Sequence, residues 1–297
     1  MTEAATLVRK TVLSTHAAPP RHWVGDGFWV QPLFSHMGED RGTDPFLMLD
    51  YAAPYQFAPA NGRARGVGQH PHKGFETVTI AYQGEVAHRD STGGGGVIKA
   101  GDVQWMTAGA GIIHEEFHSE AFSQSGGMFE MVQLWVNLPA KHKNTPARYQ
   151  HLAANNIAVV DLPDHAGHLR LIAGEYNGVA GAADTFSEMN VWDGVIYAGK
   201  EAVINVPASH QLAIVVLRGE ATFNGQERAG AGELVGFEHS EGAVHISAGD
   251  AEVKILLLSG VPINEPVVGY GPFVMNSEAE IRQAIEDYNH GRFGAIG

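Results

Sequence analysis

Cysteine is missing from all 297 residues of this chain. That excludes a disulfide framework and any thiolate chemistry, and it fits a reducing compartment; the expectation is a cytoplasmic protein. Cations are scarce. Nineteen Lys and Arg stand against 33 Asp and Glu, a formal net charge of -14 with a pI near 5.5. An acidic surface repels phosphate backbones, which speaks against direct nucleic-acid binding but leaves room for a basic protein partner. Apolar residues make up 44% of the chain, yet no segment approaches the length of a membrane span. Met1–Arg21 carries no apolar run ahead of a small-residue cleavage site, so no signal peptide is expected. What remains is the composition of an ordinary globular protein, long enough for one large or two medium domains.

The informative stretch is His70–Glu116. It opens with His70-Pro71-His72-Lys73-Gly74-Phe75-Glu76 and closes with Gly109-Ala110-Gly111-Ile112-Ile113-His114-Glu115-Glu116. In a strand, residues two apart share a face. His70 and His72 then point one way, with Glu76 further along, and His114 and Glu116 share a face on the return. The intervening Thr77–Tyr82 is β-branched and aromatic, and Gly84, Gly93–Gly96 and Gly101-Asp102 supply turns, so the chain meanders back to its start. Convergence of three imidazoles and a carboxylate gives a nitrogen and oxygen ligand set with open positions, suited to a catalytic first-row metal such as non-haem Fe(II). A lone His-x-His among 16 His is more often a surface or packed pair; the second His-x-Glu and the meander between tip the balance toward a metal.

His70-x-His72-x-x-x-Glu76 with Gly84 resembles the first cupin motif, and Gly101 through Gly111-x-x-His114 the second. More closely, HPHKGFETVTIAYQGEVAHRDS, GDVQWMTAGAGIIHEE and EPVVGYGPFVMNSEAEI resemble pirin, a bicupin family, and the likeness runs from about Phe28 to the C-terminus. It implies metal ligands His70, His72, His114 and Glu116. The commoner cupin pattern would use Glu76 instead, so Glu76 is expected close by as a second carboxylate. The family implies quercetin 2,3-dioxygenation, which opens a flavonol ring and releases carbon monoxide. It also implies an alternative role, a metal- and redox-sensing cofactor of transcription factors or metabolic enzymes.

Internal repetition points to a second barrel. Val78–Val86 is echoed by Ala213–Ala221, and Gly84 aligns with Gly219 at an offset of 135. On that offset His70 falls on Asn205, His72 on Pro207 and Glu76 on Gln211; a count from Gly232 sets His114 on His245 and Glu116 on Ser247. One ligand type survives, so a metal is expected in the first barrel only. The fold class is therefore all-β, two cupin jelly-roll domains with a short C-terminal helix: residues 1–140 metal-binding, residues 147–297 without metal, joined by the Lys-rich Pro139–Pro146. Met1–Gly25 reads as a loose arm, Glu39–Asp44 as a turn and Ala52–Gly68 as irregular. Gly93–Gly96 lacks the Gly-Lys-Ser/Thr ending of a phosphate loop and reads as a hairpin tip. Lys73 and Arg65 read as solvent-facing. Ser277 and Glu280 form a capping box for a helix whose Ile281, Ala284, Ile285 and Tyr288 pack inward, with Gly291 as its stop.

Three His and one carboxylate leave two octahedral positions for a chelating oxygen substrate and dioxygen. Glu116 or Glu76 would take the proton of a substrate hydroxyl. Phe75, Trp105, Met106, Phe117, Phe129, Met131 and Trp135 are the candidate walls for a flat polyphenol, set against the plain alternative that they fill the core. Isomerase chemistry, which other cupins perform, would differ in needing no oxygen.

Overall fold

A computed structural model describes residues 8–39, 41–60 and 62–297. The first half of the chain runs through β1 (Val12–His16), β2 (His22–Val24), β3 (Phe28–Ser35), β4 (Phe46–Phe57), β5 (Gly66–His72) and β6 (Phe75–Gln83). It continues through β7 (Glu85–Asp90), β8 (Gly95–Lys99), β9 (Val103–Thr107), β10 (Ile112–His118), α1 (Glu120–Ser125), β11 (Gly127–Asn137) and β12 (Arg148–Leu152). The second half begins with β13 (Ala158–Asp161) and β14 (Gly167–Ala173) and the small hairpin β15 (Glu175–Tyr176) and β16 (Val179–Ala180). Then follow β17 (Met189–Ile196), β18 (Glu201–Asn205), β19 (Gln211–Arg218), β20 (Glu220–Phe223), β21 (Glu227–Gly230), β22 (Glu233–Phe237), β23 (Ala243–Ala248) and β24 (Val253–Gly260). β25 (Val268–Tyr270), β26 (Phe273–Met275) and α2 (Glu278–Asn289) close the chain.

The strands form two units of one design. The first pairs a seven-stranded antiparallel sheet, β12-β9-β6-β11-β4-β3-β2, with a four-stranded sheet, β5-β10-β7-β8. The second pairs β1-β22-β19-β24-β17-β14-β13 with β18-β23-β20-β21. The repeat seen in sequence is thus a repeat of strand order, since β6 with β7 and β19 with β20 hold equivalent places. Register refines the alignment by two residues. His114 lies opposite His70 and Ile112 opposite His72 in the first unit; His245 lies opposite Val203 and Ala243 opposite Asn205 in the second. Val203, Asn205, His245 and Ser247 therefore occupy the places of His70, His72, His114 and Glu116.

A single division between residues 140 and 147 does not describe these units. Pro45–Asn156 and Ile263–Gly297, with the run that starts at Pro19, make the first; Ile157–Pro262, Arg41–Asp44 and the described residues up to Ala18 make the second. The expected arm is accordingly not loose over its described part. Val12–His16 alternates half-buried and exposed residues and adds β1 to the edge of β22. The first seven residues lie outside the described ones, as does Asp40 of the expected turn. The irregular approach is shorter than expected, because β4 continues through Phe57 and β5 begins at Gly66.

The C-terminal segment belongs with the first unit and secures the loop that carries the paired histidines. The cap forms in a shifted version of the box: the Ser277 hydroxyl accepts from the Glu280 N–H, while Glu280 Oε2 accepts from the N–H of Asn276, one residue before the cap, at 3.1 Å. Ile281 and Ala284 pack with Phe273, Met275 and Phe293. Lys73 and Lys143 are both buried, contrary to the solvent-facing reading of Lys73. Lys73 donates to the Ala110 carbonyl at 2.6 Å and stands 3.7 Å from Asp287 of α2. Lys143 donates to the carbonyls of Gly74 and Val274 and to Asn137 Oδ1. Gly74 has φ +89°, and a Cβ there would lie 2.1 Å from the Val274 carbonyl oxygen. Gly74→Ala should cost at least about 2 kcal/mol from backbone conformation alone, with the clash added. Thermal unfolding of the variant checks this; an unchanged melting temperature would contradict the packing described.

Candidate metal centre

β5 and β10 lie antiparallel with His70 opposite His114. The ring centroids of His70 and His114 are 4.2 Å apart, those of His72 and His114 4.8 Å, and those of His70 and His72 4.9 Å. One ligand nitrogen from each of the three lies within 4.8 Å of the others. His72 and His114 are buried and His70 is half-buried. Burial, then the neighbouring His70, pushes the His72 imidazole down to about 3; burial and the other rings drive His114 well below the ordinary range. Neutral imidazoles are the form that binds a metal.

The tautomers follow from the partners. His70 Nδ1 lies 2.8 Å from the Gly68 carbonyl and His72 Nδ1 3.4 Å from the Pro272 carbonyl. Each Nδ1–H donates to a carbonyl, which leaves Nε2 with a free lone pair. His114 Nδ1 faces His88 Nδ1 at 3.4 Å, and His114 Nε2 is buried with no hydrogen-bond partner among the described residues. An orphaned, neutral nitrogen beside two others is what a divalent ion would satisfy.

Glu116 clusters with His114 and His88, and it lines the same cavity as His70 and His72. Its carboxylate lies within 4.8 Å of ligand atoms of His88 and His114. The register shifts between His114 and Glu116, which pairs with Val67, so β5 carries an extra residue there. Such a bulge re-aims side chains near a site. Glu116 Oε1 accepts from Gln104 Nε2 at 3.2 Å, with the Thr79 hydroxyl at 3.1 Å. Thr79 belongs to a polar row crossing four strands in register: Asp50 on β4, Gln133 on β11, Thr79 on β6 and Gln104 on β9.

The structure does not bring Glu76 to this cluster. Thr79 faces the interior, and a residue three positions away on a strand faces the other side. Glu76 instead accepts from the Thr107 hydroxyl at 2.7 Å, away from the imidazoles. Strand parity turns Glu76 away, and on β10 the same alternation keeps Glu116 with His114.

A cavity of about 230 Å³ opens on the site. His70, His72, Glu116, Asp50 and Gln133 are its polar lining; Phe28, Val30, Met48, Met131 and Trp135 are among its apolar walls. Of the seven expected wall residues, Met131 and Trp135 line it. Phe75 packs behind them against Trp135 and His72. Trp105 is buried, and Met106 packs with Ala108 and Ile112. Phe129 sits in the core cluster with Phe28 and Phe57, and Phe117 faces a larger cleft that none of the four expected ligands lines. Sequence reading missed Asp50, whose carboxyl is raised to about 6 by burial, and also His88, Gln104 and Gln133. The available signal was a polar residue at interior parity between apolar neighbours, Asp50 between Met48 and Ala52 and Gln133 between Met131 and Trp135.

Family models match on both halves of the chain: Pirin over residues 27–136 and Pirin C-terminal cupin domain over residues 191–294. The chain belongs to the pirin family. Both units of this pirin are thus cupin domains. It is 53% identical to a Pseudomonas aeruginosa protein named "Putative quercetin 2,3-dioxygenase", over 96% of this chain and 98% of that one. It is 36% identical to Pirin-like protein 2 of Arabidopsis thaliana, over 91% and 81%. A solved structure of quercetin 2,3-dioxygenase from Acinetobacter baumannii superposes with a TM-score of 0.94 at 52% identity, covering 98% of this chain and all of that one.

The misplaced carboxylate yields a test. Burial pushes Glu76 up to about 7, with the Thr107 hydroxyl and the Trp105 indole pulling the other way, from an ordinary 4.5. The folded state then holds the proton more tightly than the unfolded chain. Its stabilising effect is whole below about pH 4.5 and is lost as pH rises to about 7, by on the order of 3 kcal/mol. Glu76→Gln should flatten that fall when unfolding free energy of metal-free protein is measured against pH; a slope unchanged from wild type would show the carboxyl to be less buried than described.

Proposed function

We propose that this pirin is a metal-dependent dioxygenase acting on quercetin-like flavonols, with one divalent first-row metal, Fe(II) in the working form. The observation that carries the reading is the cluster of His70, His72 and His114, with one ligand nitrogen of each within 4.8 Å of the others and His70 and His72 lining a cavity beside Glu116. The names of two relatives above 50% identity support the same chemistry.

His70, His72 and His114 would hold the ion through Nε2, with Glu116 as the fourth ligand. Bound there, the metal would supply Lewis acidity toward a substrate oxygen and a place for dioxygen to react. The chain does the rest. Phe28, Val30, Met48, Met131 and Trp135 receive a flat ring and keep water out. Thr79 and Gln104 fix the Glu116 carboxylate against reorientation. Asp50 faces the same cavity from β4 with a carboxyl poised near neutrality, the condition for accepting a hydroxyl proton from the substrate. Loss of that proton makes the ring electron-rich enough to react with oxygen. Glu76 takes no part, because it lies on the other face of its strand. Among the described residues no helix is long and apolar enough to cross a membrane. The cysteine-free composition supports a cytoplasmic location.

Fe(II)-loaded protein should take up oxygen and release carbon monoxide with a flavonol, and should do neither without oxygen. His70→Ala should weaken metal binding beyond the roughly 10–100-fold typical of losing an outer partner of a ligand, and abolish turnover with it. Oxygen electrode and metal titration together read this out. Full metal loading with no oxygen uptake across a flavonol panel would overturn the enzyme reading and favour the regulatory one.

A further inference from the structure

Two of the three imidazoles owe their tautomer to backbone carbonyls. His114 does not; what it faces at Nδ1 is another side chain. His88 on β7 lies directly opposite Glu116 in the β7–β10 register. His88 Nε2 is 3.0 Å from Asp90 Oδ2, and His88 Nδ1 is 3.4 Å from His114 Nδ1 and 3.3 Å from Gln104 Nε2. His88, Asp90, Gln104 and His114 are all at most 3% exposed. Tyr149 stacks on the His88 ring, 5.0 Å between centroids and 18° between planes.

Proton accounting fixes every atom in the chain. Asp90 Oδ1 is taken by the Thr92 N–H, the Thr92 hydroxyl and the Gly94 N–H, which turns Oδ2 toward His88. A carboxylate only accepts, so His88 Nε2 carries the hydrogen. The Gln104 amide nitrogen, 3.3 Å from His88 Nδ1, can only donate, so His88 Nδ1 is an acceptor with a lone pair. Gln104 Nε2 and His114 Nδ1 must both donate to it. With its hydrogen at Nδ1, His114 presents a lone pair at Nε2, the atom that is buried without a partner.

We propose that His88 and Asp90 are positioning residues that set the tautomer and ring orientation of His114 for metal binding, through an Asp90–His88–His114 relay. The proposal rests on the metal reading above. It gives the site a negative group two rings away from the ion, which steadies the ligand and raises its basicity, the established effect of a carboxylate behind a ligating imidazole. His88 also lies within 4.8 Å of His114 and Glu116 ligand atoms. The relay geometry assigns it to orientation, since both of its nitrogens are engaged by protein groups.

Titration of metal-free protein with Co(II), followed by its visible absorption bands, tests this. Wild type, His70→Ala, His88→Leu and Asp90→Asn are compared, with metal-free melting temperatures recorded for each. His88→Leu removes the acceptor and should weaken Co(II) binding about 10–100-fold, with the bands at saturation unmoved. Asp90→Asn keeps the Oδ1 contacts but turns an amide toward His88. That forces the hydrogen to His88 Nδ1, donor against donor at His114, so a loss of similar size is expected even though the fold is kept. Should His88→Leu not fold, Asp90→Asn carries the test alone. Wild-type affinity in a folded Asp90→Asn protein overturns the relay, and so does a shift of the bands in His88→Leu, which would make His88 a ligand. If wild type itself fails to bind Co(II), the metal reading falls; if wild type binds, His70→Ala binds poorly and the relay variants bind normally, only the relay does.

Discussion

The pairing of β5 with β10 is the constraint on which this molecule turns. It sets His70 against His114 in a largely buried place where imidazoles have few routes to satisfaction. Burying a polar nitrogen without a partner costs roughly 1–3 kcal/mol. The fold answers for three of them on one side only, with a carbonyl each for His70 and His72 and a side-chain relay for His114. The opposite nitrogens are left facing a common point. Stability is held back there, and the capacity to bind is what that reserve provides.

The neighbourhood is built to keep that geometry. The loop between β5 and β6 turns at a glycine that no side chain could replace without striking the Val274 carbonyl. Two buried lysines close the gap that this leaves, Lys143 by spanning three acceptors and Lys73 by joining the loop to α2. Inside, the polar row from Asp50 to Gln104 crosses apolar strands at one level and ends on Glu116. Its members support each other through matched register rather than through proximity in sequence.

Much of this was legible in the residues. The two His motifs, the strand between them, the hairpin tip at Gly93–Gly96 and the capping box of α2 are local patterns, and local patterns survive folding. The repeat showed the second barrel, though its ungapped offset missed the structural register by two residues because the loop before β19 is longer than its counterpart before β6. Glu76 was misplaced for a different reason. Motif spacing says that a carboxylate is near in sequence, while strand parity decides where it points. His88 and Asp90 stood in plain view within VAHRDS, yet their role depends on β7 meeting β10, a pairing that no single strand announces. The N-terminal strand escaped notice because its partner, β22, lies more than two hundred residues away.

That last pairing governs how the chain divides. Each unit takes part of its fabric from the far end of the sequence: β1 completes a sheet made otherwise of residues beyond 157, and the segment from Ile263 returns to cover the histidine loop. Severing the chain at Asn156 would leave one fragment with the naked margin of β22 and the other with an uncovered Gly74. Neither half of the sequence is a whole barrel, so the gene cannot be split where the repeat suggests without breaking both.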